Sequence, residues 1–279
     1  MKLELFRTLW GDTRNWADII PETREAGFTG LEARIPLTRA EAMENATVLQ
    51  GNGVPYIAIA LTGGGIIPRQ SATIADHIED FRGCLDRAVV LKPRFVNVLG
   101  GNDRWDASQQ AEFINTAHEL GKDAGITCVF ETHRSRILSS PWITLDVLRQ
   151  CPEALFTADI SHWIVVCERL LDDPCDDFTP FIERVHHLQA RVGYDQGPQV
   201  THPGAPEYAA ALSFHQKFWQ SVWESQKRRG YTVTTMTPEF GPDGYLHTLP
   251  FTNAPVADLW DLNRWIGAEQ QHRFALWTS

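Results

Sequence analysis

The chain has 279 residues, 43% of them apolar, and a formal net charge of −10. That apolar share supports a full core and is too high for a disordered chain, and the acidic balance argues against a nucleic-acid backbone or an anionic membrane as the main partner, since both attract Lys/Arg-rich faces. No apolar run is long enough to cross a bilayer, and the start MKLELFRTLWGD carries charges inside its apolar stretch, unlike a secretory leader. Five cysteines, none in a C-x-x-C pair, read as reduced thiols of a cytoplasmic protein.

Along the chain, short apolar runs alternate with longer amphipathic ones. The first strand is expected at LELFRTLW (3–10), followed by a helical pattern in NWADIIPETREAGF, where Trp16, Ile19 and Ile20 share a face and Gly27 caps the end. Strands follow at GLEARI (30–35) and VPYIAIALT (54–62). The next residues, LTGGG at 61–65, lack the Lys-Ser/Thr of a phosphate cradle and read as a flexible loop. RFVNVLG (94–100) precedes ASQQAEFINTAHELGKDAG, with Phe113, Ile114, Ala117 and Leu120 at helical spacing. TCVFETH (127–133), ALFTADIS (154–161) and HHLQARV (186–192) are the next strands. The Pro/Gly-rich loop GYDQGPQVTHPGAPEY then reads as a lid segment or a solvated connection. Trp219 and Trp223, four apart on a helix, suit packing or the interface of a homodimer. TVTTMTPEF (232–240) is the eighth strand, and the helix around VADLWDLNRWIGAEQQHRF closes the outer ring. Eight strand–helix units predict one α/β domain over residues 1–279, a closed (β/α)8 TIM barrel. A doubly wound open sheet usually has a Gly-rich turn after its first strand, and here that turn reads WGDT.

Activity in such a barrel sits at the carboxyl ends of the strands. Strands five to eight end FETHR, TADISHW, HHLQAR and TPEFGP. Strand side chains alternate faces, so His187, Gln189 and Arg191 point inward together, opposite Leu188 and Ala190. Glu131, Asp159 and Glu239 then converge from three strands. Three carboxylates in one pocket imply a cation or raised pKa values; helix capping or pairing with Arg is the plainer reading for any one of them. Arg191 either holds a substrate oxygen or pairs with a barrel carboxylate. His133 either binds substrate or hydrogen-bonds at the mouth. Trp10, Trp105 and Trp163 lie at or beyond strand ends, where an indole can stack on a sugar face.

The pattern, together with RVHHLQARVGYDQGPQ, resembles the xylose isomerase-like barrel superfamily, and within it the sugar isomerase/epimerase branch typified by D-tagatose 3-epimerase. The resemblance implies one divalent ion held by Glu131, Asp159, the strand-seven position and Glu239, with His162 touching substrate. Aligned with the family's H-I-H-A-R-V-G, the metal-binding His falls on Gln189, and His187 lies just before it, behind the ligands or beside the substrate. Four oxygen ligands favour Mg2+ or Mn2+ over Zn2+ or Co2+. The implied activity is metal-dependent isomerisation or epimerisation of a small polyhydroxy carbonyl compound, by proton transfer through a stabilised enediolate with Glu131 and Glu239 as acid and base. A dehydratase of the 3-dehydroshikimate or inosose type is the alternative, and some such dehydratases also carry Gln at this place. A non-catalytic sugar-binding barrel is the second alternative. The endonuclease IV branch would need more metal ligands and a basic groove, which this acidic chain does not offer.

Overall fold

The computed structural model describes all 279 residues. Eight parallel strands close into one barrel in sequence order: β1 (Lys2–Thr8), β2 (Gly30–Arg34), β3 (Tyr56–Leu61), β4 (Val96–Leu99), β5 (Cys128–Glu131), β6 (Leu155–Ala158), β7 (Val185–Gln189) and β8 (Val233–Thr237). All eight expected strands are present. Each ends earlier than its sequence run, by one residue for β2–β4 and by two or three for the others, so His133, Asp159, Arg191 and Glu239 stand on the loops just above the barrel rather than inside a strand.

Helices α1 (Trp16–Glu25), α2 (Arg39–Asn52), α3 (Ile74–Leu91), α4 (Ala107–Asp123) and α5 (Pro141–Leu148) form one side of the outer ring. The short α6 (Ser161–Cys167) and α7 (Thr179–Ile182), then α8 (Ala209–Arg228) and α9 (Leu259–Thr278), complete it. Three of the longer helices start with reciprocal capping boxes at Thr38, Thr73 and Asp106, each satisfying backbone N–H groups that an open helix end leaves unpaired. A core of 56 buried residues fills the space between strands and helices. Trp219 and Trp223 belong to it, so they pack within the molecule and offer no surface to a second copy.

Inside the barrel a separate cluster of Phe6, Ile57, Phe95 and Val129 forms the floor. Gly30 makes room for it, because a Cβ there would lie 2.6 Å from a carbon of the Phe6 ring. The strand alternation that turns these four inward also turns Glu32, Asn97, Glu131, Thr157 and Gln189 inward one step higher. All five are buried. The barrel is thus apolar at the bottom and polar toward the mouth.

Two loops differ from expectation. The 193–208 segment is not a solvated lid: Gln199 is buried and exchanges two hydrogen bonds with the Gly241 backbone, at 2.9 and 3.2 Å. The LTGGG loop is also tied down. The fully buried Arg136 donates to the carbonyls of Thr62 (2.9 Å), Ile66 (3.0 Å), Leu99 (2.7 Å) and Gly65, stitching the ends of β3 and β4 to the loop after β5.

His215 of α8 ties its helix to the end of β7. Its Nδ1–H donates to the Ala211 carbonyl at 2.8 Å, and Nε2 accepts from the Gly193 N–H at 3.2 Å. Burial pushes this ring from the usual 6.5 down to about 4. The unfolded chain therefore takes up the proton first as pH falls. The stabilisation is complete above pH 6.5 and is lost as pH falls toward 4. NMR should find the neutral Nδ1–H tautomer in the folded protein at pH 5.5. A ring that protonates near 6.5 would contradict this bonding.

Candidate active site

The mouth of the barrel opens into a cavity of about 970 Å3. Glu131, His133, Arg191 and Glu239 line one end of it, together with Trp10 and Tyr245. Glu131 ends β5, and its Oε2 accepts from the Asn97 amide on the neighbouring β4. Asp159 follows β6. Thr132 fixes its backbone, accepting from the Asp159 N–H and donating to its carbonyl, both at 2.9 Å. The Asp159 Oδ1 accepts from the Ser161 N–H (3.0 Å) and hydroxyl (2.5 Å).

Arg191 occupies the centre of this arrangement, buried to 2% exposure. One terminal nitrogen donates to Asp159 Oδ2 and to His162 Nε2 (2.9 Å), the other lies 3.4 Å from Glu239, and Nε donates to the Ser161 hydroxyl at 3.2 Å. Between the two roles open to Arg191, the structure shows the ion pair with barrel carboxylates. Burial alone would lower the guanidinium's pKa, but the Asp159 and Glu239 carboxylates hold it above its usual value. The carboxyls go the other way. Burial raises Glu131 well above the usual carboxylate range, reinforced by Glu239 and Asp159. Burial pushes Glu239 up to about 8, against the opposing pull of Arg191. Burial also raises Asp159 despite its guanidinium partner.

The ligand-capable atoms of Glu131, Asp159 and His162 lie within 4.8 Å of one another. Glu239 stands outside this triad, at the other terminal nitrogen of Arg191. Gln189 is oriented by Glu32, whose Oε1 accepts from its Nε2 at 3.0 Å. The Gln189 Oε1 is then a buried acceptor with no partner. The orphaned Gln189 oxygen and the cluster of Glu131, Asp159 and His162 are groups of the kind that ligate a divalent cation.

His162 accepts from Arg191, so its proton sits on Nδ1, a buried nitrogen with no partner. Burial holds His162 well below its usual pKa and pushes the adjoining His133, whose ring centroid is 4.0 Å away, down to about 3. Both are neutral imidazoles. Trp10 lines the cavity, its indole N–H donating to Asp243 at 2.8 Å and its ring 5.0 Å from Tyr245.

Three expected residues fall elsewhere. His187 is inward but lies lower in the barrel, bonded to the Thr235 (2.8 Å) and Thr237 (3.2 Å) hydroxyls and 5.2 Å from the Phe95 ring. It sits one inward step below Gln189, and neither residue lines the cavity; Asp159 and His162 are likewise buried behind its wall. Trp105 packs against His77 and Phe113. Trp163 is 1% exposed, wedged against Phe178 and Phe181, and cannot stack on a sugar. Its indole N–H donates to the Leu138 carbonyl at 2.9 Å. Leu138 is held at φ 58°, a left-handed conformation costly for a leucine, in the loop that carries His133 and Arg136.

Sequence reasoning missed Glu32 and Asn97. Both are fully buried, both bond residues of the site, and Asn97 lies 3.5 Å from Glu32. Their signal was present: each is a polar residue in the inward phase of an otherwise apolar strand.

The sequence profile of the xylose isomerase-like TIM barrel matches residues 20–207, more than half of the chain. The chain belongs to this family. No curated protein matches the sequence significantly. Among solved structures, D-allulose 3-epimerase from Methylomonas sp. superposes with a TM-score of 0.66 at 14% identity, covering 98% of this chain and 97% of its own. The 3-keto-D-glucoside 4-epimerase of E. coli gives 0.63 at 10% identity, over 96% and 98%. A probable 3-dehydroshikimate (3-DHS) dehydratase from Bacillus anthracis gives 0.58 at 16%, over 88% and 94%. At these identities the likeness is one of fold.

Trp163→Phe keeps the apolar ring and removes only the N–H. Leaving the buried Leu138 carbonyl short of its donor should cost about 1–3 kcal/mol, read as a lower urea midpoint. Trp10→Phe, which breaks an exposed contact, should shift the midpoint much less. Equal shifts would place the two indoles in equivalent roles.

Proposed function

We propose that the protein is a sugar isomerase or epimerase that moves a proton next to a carbonyl, with Glu131 and Glu239 as the acid/base pair. The observation that carries this reading is the placement of two buried carboxyls at one end of an open cavity, one at the end of β5 and one just beyond β8. A carboxyl whose pKa lies near neutrality can both take and return a proton, which is what reversible carbon-acid chemistry asks of it. Burial gives Glu239 that property, at about 8.

In this reading the substrate is a small polyhydroxy carbonyl compound lying between the two glutamates. One carboxylate removes the proton from the carbon beside the carbonyl. The other delivers a proton to the opposite face for epimerisation, or to the neighbouring carbon for isomerisation. His133 lies on the cavity wall and, as a neutral imidazole, holds a substrate oxygen without adding charge; His162 is buried behind it and bonded to Arg191. Arg191 fixes Asp159 and Glu239 relative to one another and presents a guanidinium edge to a substrate oxygen. Trp10 and Tyr245 cover an apolar sugar face.

Glu131, Asp159, Gln189 and Glu239 would hold a hard divalent cation, Mg2+ or Mn2+. When bound, such an ion polarises the carbonyl of a chelated substrate. Loss of a β-hydroxyl after the first proton removal would instead make the enzyme a dehydratase, and the product distinguishes the two outcomes.

Glu131→Gln and Glu239→Gln preserve shape and remove the base. Each should lower the rate by about 10^2–10^4-fold, and turnover in D2O should place deuterium on the carbon next to the carbonyl. Turnover without exchange, with both Gln variants still active, would point to hydrolysis. Elemental analysis should find magnesium or manganese at one ion per chain; stoichiometric zinc would contradict the oxygen-only ligand set.

A further inference from the structure

The cavity is larger than the chemistry at its end requires. A six-carbon sugar has about twelve non-hydrogen atoms. At the ~30 Å3 that each water molecule occupies in the liquid, 970 Å3 has room for about thirty. The groups of the proposed reaction come from the carboxyl ends of β5–β8 and the segments just beyond them, with Trp10 from the loop after β1. The remainder of the lining comes from the ends of β1–β4 and from α1–α3; the part that includes Arg34, Leu37 and Glu44 is the far lobe.

The far lobe is not an apolar crevice. Strand alternation places Arg34 on the same face as Glu32, toward the mouth, and its guanidinium makes no hydrogen bond or ion pair. The side chains of Asn45 and Glu44 likewise have no partner within the protein. Beside them the half-buried Trp16 indole leans on Tyr56, with ring centroids 5.3 Å apart, and borders the same space. Charges in this lobe cancel: Arg34 and Arg87 against Glu41 and Glu44. At the rim, Arg14 is already neutralised by Asp12 and Glu22. A lobe with no net charge, unused amide, guanidinium and carboxylate groups and an indole suits neutral hydroxyls on a ring. A phosphate would want an excess of cations.

We infer that the substrate is a ketose-type sugar carrying a second sugar unit, the reacting ring at Glu131 and Glu239 and the second ring in the lobe formed by Trp16, Arg34, Glu44 and Asn45. The inference rests on the isomerase/epimerase reading of the site. A two-ring sugar of about twenty-three non-hydrogen atoms fills the space that one ring leaves largely to water. Contacts made far from the reacting carbon position the reacting ring and lower the barrier through binding energy.

The test compares matched pairs: D-fructose with isomaltulose, D-fructose with lactulose, and a methyl ketoglucoside with the corresponding ketocellobiose. Deuterium uptake from D2O is the readout for each. For at least one pair, the two-ring member should show a kcat/KM about tenfold or more above its one-ring partner. Trp16→Ala and Asn45→Ala should lower kcat/KM for that two-ring compound about tenfold through KM, and leave the one-ring rate unchanged; that unchanged rate also shows that the variants fold. One-ring and two-ring compounds handled equally, or variants that depress both alike, would overturn the second subsite while leaving the isomerase reading intact. Deuterium uptake that rises only with phosphorylated ketoses would assign the lobe to an anion and overturn the two-ring proposal. No exchange with any compound would remove both.

Discussion

Four carboxylates buried within one barrel are the constraint around which the rest of this structure is arranged. Glu32, Glu131, Asp159 and Glu239 come from four different strands or their ends and are all shielded from water. Like charges in low dielectric repel strongly, and each must find a cation, a donor or a proton. Each has one or more. Arg191 joins Asp159 to Glu239, Asn97 donates to Glu131, and Gln189 donates to Glu32. These partners are themselves inward residues of the barrel or stand just above it, so the electrostatics of the site and the register of the strands are one problem.

The constraint reaches outward through backbone. Asp159 is aimed by Thr132, just after β5, and by Ser161, the first residue of α6. Arg136 gathers carbonyls from the ends of β3 and β4 and so fixes the loop that bears His133. Trp163, from the helix after β6, holds the strained Leu138 of that same loop. The side chains facing the cavity are thus backed by residues that never meet it. An indole in the core and an arginine capped by carbonyls both serve to place a histidine.

The barrel was legible in the sequence because its signal is periodic: eight short apolar runs with amphipathic spacers leave few other closures. The residues Glu131, Asp159, Gln189, Arg191 and Glu239 were legible because each interrupts an apolar run near a strand end, and alternation shows which way it faces. Partnership was not. The sequence placed Arg191 inward but could not choose between a ligand and two carboxylates, which is a matter of ångströms. Glu32 and Asn97 escaped because attention to strand ends five to eight left the opposite half of the barrel unread, although GLEAR carries its glutamate in the inward phase. Trp163, and the substrate-side reading of His187, misled for a related reason. An indole beyond a strand end turns toward whichever side has room, and here that is the helix layer. A histidine two residues before an inward glutamine sits one layer deeper, under the site.

Charge counting connects the buried network to the chemistry proposed for it. Arg191 is the one guanidinium bonded to these carboxylates and does not balance them all, though Arg136 and Arg34 also act on Glu131 and Glu239. A divalent cation on Glu131, Asp159, Gln189 and Glu239 would offset part of the remaining charge. Protons offset the rest, and burial favours them on Glu131 and on Glu239, the latter at about 8. A proton shared within such a set is close in energy to leaving and to returning. In the proposed reaction, the arrangement that makes the barrel electrostatically tolerable would also leave one carboxyl ready to exchange a proton with carbon. Removing Arg191 would leave Asp159 and Glu239 without their common partner and raise both carboxyls further above their usual values.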